Sequence, residues 1–292
     1  MQGQLDVLDQ AIGWARQAGL KVMLDLHGAP GSQNGFDNSG KRGDIRWTQG
    51  ATVQQTLDAL RGLARRYAPQ TDVVTAIELL NEPFSFSLSL ATIQQFYYDG
   101  WGTIRDSSAS TLVVLHDAFR APQSWNGFET SGFNAVALDT HQYQIFSPGE
   151  NARSPAEHVR AACDLSRGGG PLTGLDKPTF VGEWTGAQTD CAFWLNGVGR
   201  GARYDGTFPG SYPIGSCDGK RTGTVAGLSA DDKRNIRQFT EAQLDAYDRV
   251  GGWIFWTWKN EAAPEWHLRD LIAEGLFPQP LSDRQFPGQC GY

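Results

Sequence analysis

The chain has 292 residues, 40% of them hydrophobic, enough for one large core or two small ones. A formal net charge of −7 argues against a nucleic-acid or anionic-membrane partner, and no apolar run approaches membrane-spanning length. Fifteen Phe, ten Trp and eight Tyr in an acidic chain suit a site that stacks neutral sugars on flat rings.

Met1-Gln2-Gly3-Gln4 leads straight into an amphipathic helix, with Leu5, Leu8, Ile12 and Ala15 at helical spacing and Gly19 closing it. That opening has no signal-peptide pattern. Lys21 to Leu26 reads as a strand ending in Asp25-Leu26-His27-Gly28, followed by a glycine-rich loop to Gly43. Val53, Leu57, Leu60, Ala64 and Tyr67 form the next helical stripe. Ala76 to Leu80 is a short buried strand that stops at Asn81-Glu82-Pro83, because proline cannot donate to a ladder. Ile93, Phe96, Tyr97 and Ile104 mark another helix, weakened by Gly100 and Gly102.

Thr111 to Leu115 is a strand ending in His116-Asp117, best explained as a hydrogen-bonded rim pair. Ala137 to Tyr143 is another, ending in His141-Gln142-Tyr143. Ser154-Pro155-Ala156-Glu157 opens a helix with a capping box. Thr179 to Trp184 is the next strand, and a long irregular excursion to Leu228 follows. Ser229 caps a helix carrying Ile236, Phe239, Leu244 and Tyr247; Gly252 to Trp258 reads as a last aromatic strand, with a helix near Trp266 to Leu276.

Six short apolar strands alternate with helices, and most end in polar residues. This is the pattern of a parallel α/β sheet, either an eight-fold barrel or a doubly wound sheet. No glycine fingerprint follows Leu26 or Leu80, which argues against a nucleotide binder. Polar residues at nearly every strand end favour a barrel, whose upper loops all face one pocket. No linker-like stretch divides residues 1–292, so they read as a single catalytic domain.

Glu82 and Glu183 share one situation: an apolar strand, a carboxylate at its end, then a conformationally restrictive or aromatic residue. Two carboxylates bracketing a pocket is what glycoside hydrolysis requires. One must be protonated to donate to the departing oxygen, and the other ionised to attack the anomeric carbon. Four cysteines, Cys163, Cys191, Cys217 and Cys290, lack the C-x-x-C spacing of a zinc site and suggest two disulfides, with three connectivities open. No Asn-x-Ser/Thr sequon is present.

At these residues the chain resembles glycoside hydrolase family five. The resemblance is carried by Ile-Glu-Leu-Leu-Asn81-Glu82-Pro83 and Phe-Val-Gly-Glu183-Trp184. The stretches from Asp25 to Gly40, from Asp139 to Phe146 and from Trp256 to Lys259 resemble its fungal exo-β-1,3-glucanase branch. The resemblance implies a TIM-type (β/α)8 barrel and a retaining mechanism without metal or cofactor, releasing terminal glucose from β-1,3-glucan. It implies Glu82 as acid/base and Glu183 as nucleophile, with carboxyls about 5–5.5 Å apart. It further implies Asn81 on the sugar 2-hydroxyl, Tyr143 holding Glu183, and His27 and His141 on sugar hydroxyls. Trp258 would floor the terminal glucose subsite, Phe36 and Phe146 would clamp the next glucose, and Asn38 would line the same loop. It also implies the disulfides Cys191–Cys217 and Cys163–Cys290, and a secreted or cell-wall protein.

The chain departs from the family by opening at the helix before the third strand, so the barrel is expected to be N-terminally incomplete, with six strands. A truncated gene model is favoured over an internal start or a short form completed by a second chain. Two alternatives follow: a catalytically weak or silent glucan-binding fragment, or a family-five hydrolase of another β-glucan specificity.

Overall fold

A computed structural model of the protein describes residues 3–292, so Met1 and Gln2 of the expected opening lie outside the described residues. The chain divides into two compact units, Met1–Asp139 with Asp176–Pro178, and Thr140–Leu175 with Thr179–Tyr292.

The first unit alternates helix and strand as the sequence predicts. Helix α1 spans Gln4–Gln17, β1 Val22–Asp25, α2 Thr52–Tyr67, β2 Val74–Glu78, α3 Leu90–Arg105 and β3 Leu112–His116. Strand β4, Val136–Gln142, carries the chain into the second unit. Strands β1, β2, β3 and β4 pair in that order, all parallel. Strands β2 and β3 read as near-continuous apolar runs because sheets of this kind are covered on both faces. Their core is built from Leu60, Tyr67, Ile77, Phe96 and Val113, all buried. Among the described residues β1 pairs only with β2, and α1 exposes Val7 and Trp14.

Gly100 does not break α3; it permits it. A Cβ there would lie 2.7 Å from Leu79 Cδ1, so glycine lets the helix settle against the segment that leads to Glu82 without displacing the Leu79 side chain.

In the second unit, α4 spans Pro148–Asn151, α5 Pro155–Asp164, β5 Thr179–Trp184, α6 Ala230–Tyr247 and α7 Leu268–Ala273. Ser154 and Glu157 form the predicted capping box; Ser147 and Glu150 form a second one on α4 that the sequence reading did not include. The expected sixth strand at Gly252–Trp258 is reduced to a parallel bridge between Val181 and Trp253. Ile254 N–H and Trp256 N–H still donate to Val181 and Trp184 carbonyls, but Thr257 N–H turns away to Trp266 O. The ladder ends because that backbone pairs instead with the segment entering α7, where Leu268 N–H donates to Thr257 O.

Trp184 sits at the centre of the second core, 4.9 Å from the Phe255 ring and 5.4 Å from both Tyr247 and Trp253. Fully burying such a side chain contributes roughly 3 kcal/mol. Trp253 is thereby core-facing. The disulfides are Cys163–Cys290 and Cys191–Cys217, as the family resemblance implies. Each contributes about 2–4 kcal/mol, chiefly by restricting the unfolded chain.

His158 on α5 is buried against Phe239 of α6, and its Nδ1 lies 3.0 Å from Gln144 Oε1. Arg153 also donates to that oxygen, so His158 Nδ1–H is the donor in a neutral ring. Burial, aided by Arg153, pushes its pKa down to about 4. The unfolded chain binds this proton below about pH 6.5 and the folded chain only near pH 4, so protonation favours unfolding. Stability is therefore expected to fall by about 3 kcal/mol as pH drops from 6.5 to 4. Melting curves across that range should be flatter for His158→Gln; an equal slope in both proteins would refute the assignment.

Candidate active site

The segment after β2 is fixed before any side chain acts. Asn81 N–H donates to Leu26 O (3.1 Å), and the buried amide of Gln33 donates to both Asn81 O (2.8 Å) and His27 O (3.1 Å). Gln33 Oε1 accepts from Ala29 N–H, and Phe84 N–H donates to Gln33 O. One side chain thus ties the loop after β1 to the loop after β2. Gly28 is needed in the first loop, because a Cβ would stand 2.5 Å from Ser39 O.

Glu82 itself has φ 47°, in the left-handed region that a glutamate adopts at a cost of roughly 1–3 kcal/mol. Two more such residues, Ala118 and Phe119 (φ 56° and 61°), follow β3, and Ser85 Oγ donates to Ala118 O (2.6 Å). Backbone strain of this kind persists where surrounding contacts over-determine it, and it clusters at functional sites. The Glu82 side chain is buried, and Asn38 Nδ2 donates to its Oε2 at 2.9 Å. Asn38 Oδ1 in turn accepts from Asn34 Nδ2 (3.3 Å). Asn81 is 1% exposed, and its Nδ2 has no hydrogen-bond partner among the described residues. A buried donor left open in this way costs about 1–3 kcal/mol unless a ligand takes it.

His27 Nδ1 lies 2.6 Å from Asp25 Oδ2, which orients its ring. His116 and Asp117 are occupied in holding the turn after β3: His116 Nδ1 accepts from Ala118 N–H and Asp117 Oδ1 accepts from Phe119 N–H. His116 Nδ1 and Asp117 Oδ1 lie 3.6 Å apart and both residues are buried, so in place of the expected hydrogen-bonded rim pair each accepts from a backbone N–H. Tyr97, beneath them, donates to His116 O (2.7 Å). Burial, with the Glu78, Asp117 and Glu129 carboxyls nearby, holds its phenol well above the ordinary pKa and so keeps it a donor.

Phe36 is part of an edge-to-face ring cluster with Phe84 (5.5 Å) and Phe119 (6.1 Å). Phe84 and Phe119 were not singled out from the sequence. The available signal was their position, each two residues past a strand-end carboxylate, Glu82 or Asp117.

In the second unit, Glu183 is the penultimate residue of β5, and alternation sets it on the face opposite Trp184. Tyr143, just past β4, donates its phenol proton to Glu183 Oε2 at 2.7 Å. His141 Nδ1 lies 3.5 Å from the same oxygen. The hydrogen bond from Tyr143 fixes the direction of the Glu183 carboxyl. The Tyr143 ring is held edge-on by Phe146 (5.4 Å) and tilted against Trp266 (5.6 Å). Phe146 and Trp258 are exposed, at 42% and 58%. The first unit therefore brings together His27, Phe36, Asn38, Asn81 and Glu82, and the second brings together His141, Tyr143, Phe146 and Glu183, while Trp258 O accepts from Arg269 N–H (3.2 Å).

Residues 2–196 match the family model described as Cellulase (glycosyl hydrolase family 5). The chain belongs to glycosyl hydrolase family 5. Within that family it is similar to a glucan 1,3-beta-glucosidase of Blumeria graminis, 59% identical over 295 residues covering 100% of this chain and 68% of the relative. It is also 52% identical, over all of this chain and 71% of the relative, to a probable glucan 1,3-beta-glucosidase A of Emericella nidulans. Among solved structures it shares its fold with the rutinosidase from Aspergillus niger: TM-score 0.61, 19% identity, 94% of this chain and 72% of that one. The chain is thus a glycoside hydrolase with an α/β fold of parallel strands.

Tyr143→Phe keeps the ring packing and removes only the proton donated to Glu183. Turnover of a chromogenic aryl glycoside should fall about tenfold to a hundredfold, the worth of one hydrogen bond to a charged group. Its melting temperature should stay close to wild type, and an unchanged turnover would contradict the role given to this contact.

Proposed function

We propose that the protein is a retaining exo-β-1,3-glucanase that removes glucose from the non-reducing end of β-1,3-glucans. The observation carrying this proposal is the end-to-end similarity of the chain to glucan 1,3-beta-glucosidases, together with a strand-end glutamate in each unit. In the first step Glu82 protonates the glucosidic oxygen while Glu183 attacks the anomeric carbon, forming a glucosyl ester and releasing the shortened glucan. In the second step Glu82 takes a proton from water, and the resulting attack breaks the ester and frees glucose with its β configuration retained.

Asn81 donates its open amide to the 2-hydroxyl, an interaction that strengthens as positive charge develops at the anomeric carbon. His27 and His141 bind further hydroxyls, Trp258 floors the terminal glucose, and Phe36 and Phe146 clamp the next one. Residues 1–292 act as a single catalytic domain built as an incomplete TIM-type (β/α)8 barrel. The one-sided pairing of β1 and the exposed Val7 and Trp14 of α1 support that arrangement. The two disulfides support a secreted or cell-wall location.

Digestion of laminarin, pustulan and cellulose with product analysis tests the proposal. Glucose should appear early from laminarin and its β anomer first by NMR, and Glu82→Gln should lower the rate by about 10²–10⁴. Internal cuts without early glucose, or inversion, would overturn it. The one-sided β1 favours one second reading, a glucan-binding chain without turnover; laminarin binding that survives Glu183→Ala, with no hydrolysis by the unsubstituted chain, would establish that instead.

A further inference from the structure

Beyond Phe36, the aromatic cluster of the first unit continues outward. Phe84 packs against Phe36 at 5.5 Å and Phe119 at 5.6 Å, and on its other side lies Phe86 at 5.4 Å. Phe86 is 71% exposed. A single exposed phenylalanine is ordinary on a protein surface. This one differs in packing on Phe84, on an anchored turn, and in continuing a row of rings.

The turn that displays it is fixed from both ends. Phe84 N–H is bonded to Gln33 O, Ser85 Oγ to Ala118 O, and Ser87 and Leu88 N–H both to Phe84 O, while Leu88 is buried in the core. Phe86 therefore stands at the apex of an anchored turn, on the same loop that carries Glu82. An aromatic face presented on an anchored backbone binds the flat C–H face of a pyranose with a lower ordering cost than one on a mobile loop.

We propose that Phe86, backed by Phe84, forms a further glucose-stacking subsite, one unit beyond the sugar clamped at Phe36, and that it selects longer β-1,3-glucan chains. This rests on the exo-β-1,3-glucanase proposal and names the part of the substrate that proposal leaves unassigned. The occupant is a glucosyl residue of the departing chain. Its recognition by stacking supplies no group to the chemistry, so Phe86 is a specificity-determining residue and not a catalytic one.

Steady-state kinetics on β-1,3-linked oligosaccharides from the disaccharide to the pentasaccharide test this with Phe86→Ala and Phe86→Trp. Phe86→Ala should hydrolyse the disaccharide like wild type but lose about threefold to tenfold in kcat/KM on the tetra- and pentasaccharide, through KM. Phe86→Trp should restore the length preference. An equal loss at every length, or no loss at any, would overturn the subsite. Calorimetric titration of the pentasaccharide into both proteins separates the two proposals. Affinity that depends on Phe86 without glucose release would uphold the subsite and refute hydrolysis. Hydrolysis with Phe86-independent affinity and kinetics would do the reverse, and absence of both binding and hydrolysis would refute both.

Discussion

The left-handed backbone of Glu82 is the constraint from which the rest of the first unit's site follows. A glutamate adopts that conformation only when its surroundings leave no alternative. Here Asn81 is bonded to the β1 exit, Gln33 grips two carbonyls from two loops, and Ser85 ties the next turn to Ala118. These contacts mostly join segments distant in sequence, at 2.6–3.1 Å, so the carboxyl is positioned by backbone before Asn38 touches it. The open amide of Asn81 and the oriented His27 ring stand on the same fixed frame.

Glu183 is held differently. Its strand is anchored by Trp184 in a cluster of rings, and its carboxylate receives a phenol proton from Tyr143. Glu82 accepts from a neutral amide, whereas Glu183 accepts from Tyr143 with His141 beside it. In the proposed mechanism the first is the proton donor and the second the nucleophile. Stability and chemistry share these parts: Gly100 gives α3 room against Leu79, which lies between β2 and Glu82.

Much of this was legible in the residues themselves. Apolar runs closed by Asn81-Glu82-Pro83, His116-Asp117 and Glu183-Trp184 mark strand ends, because alternation and proline are local rules. The capping box at Ser154 is equally local. What escaped depends on contacts between distant segments. Nothing adjacent to Gln33 announces that it bridges two loops, and no glycine marks the left-handed positions of Glu82, Ala118 and Phe119. Phe84 and Phe86 look like loop residues until their rings are found in a row with Phe36. Gly252–Trp258 looks like a strand by composition, and only its bonds to the segment before α7 show why its ladder stops.

The most direct measurement is incubation of the protein with 2-deoxy-2-fluoro-β-glucosyl fluoride, followed by proteolysis and mass spectrometry. The slow-turnover sugar should accumulate as an ester, and the predicted result is a 2-deoxy-2-fluoroglucosyl adduct on the peptide carrying Glu183, absent in Glu183→Gln. An adduct on another residue, or hydrolysis of the reagent with no covalent species formed, would contradict the double-displacement role of this carboxylate.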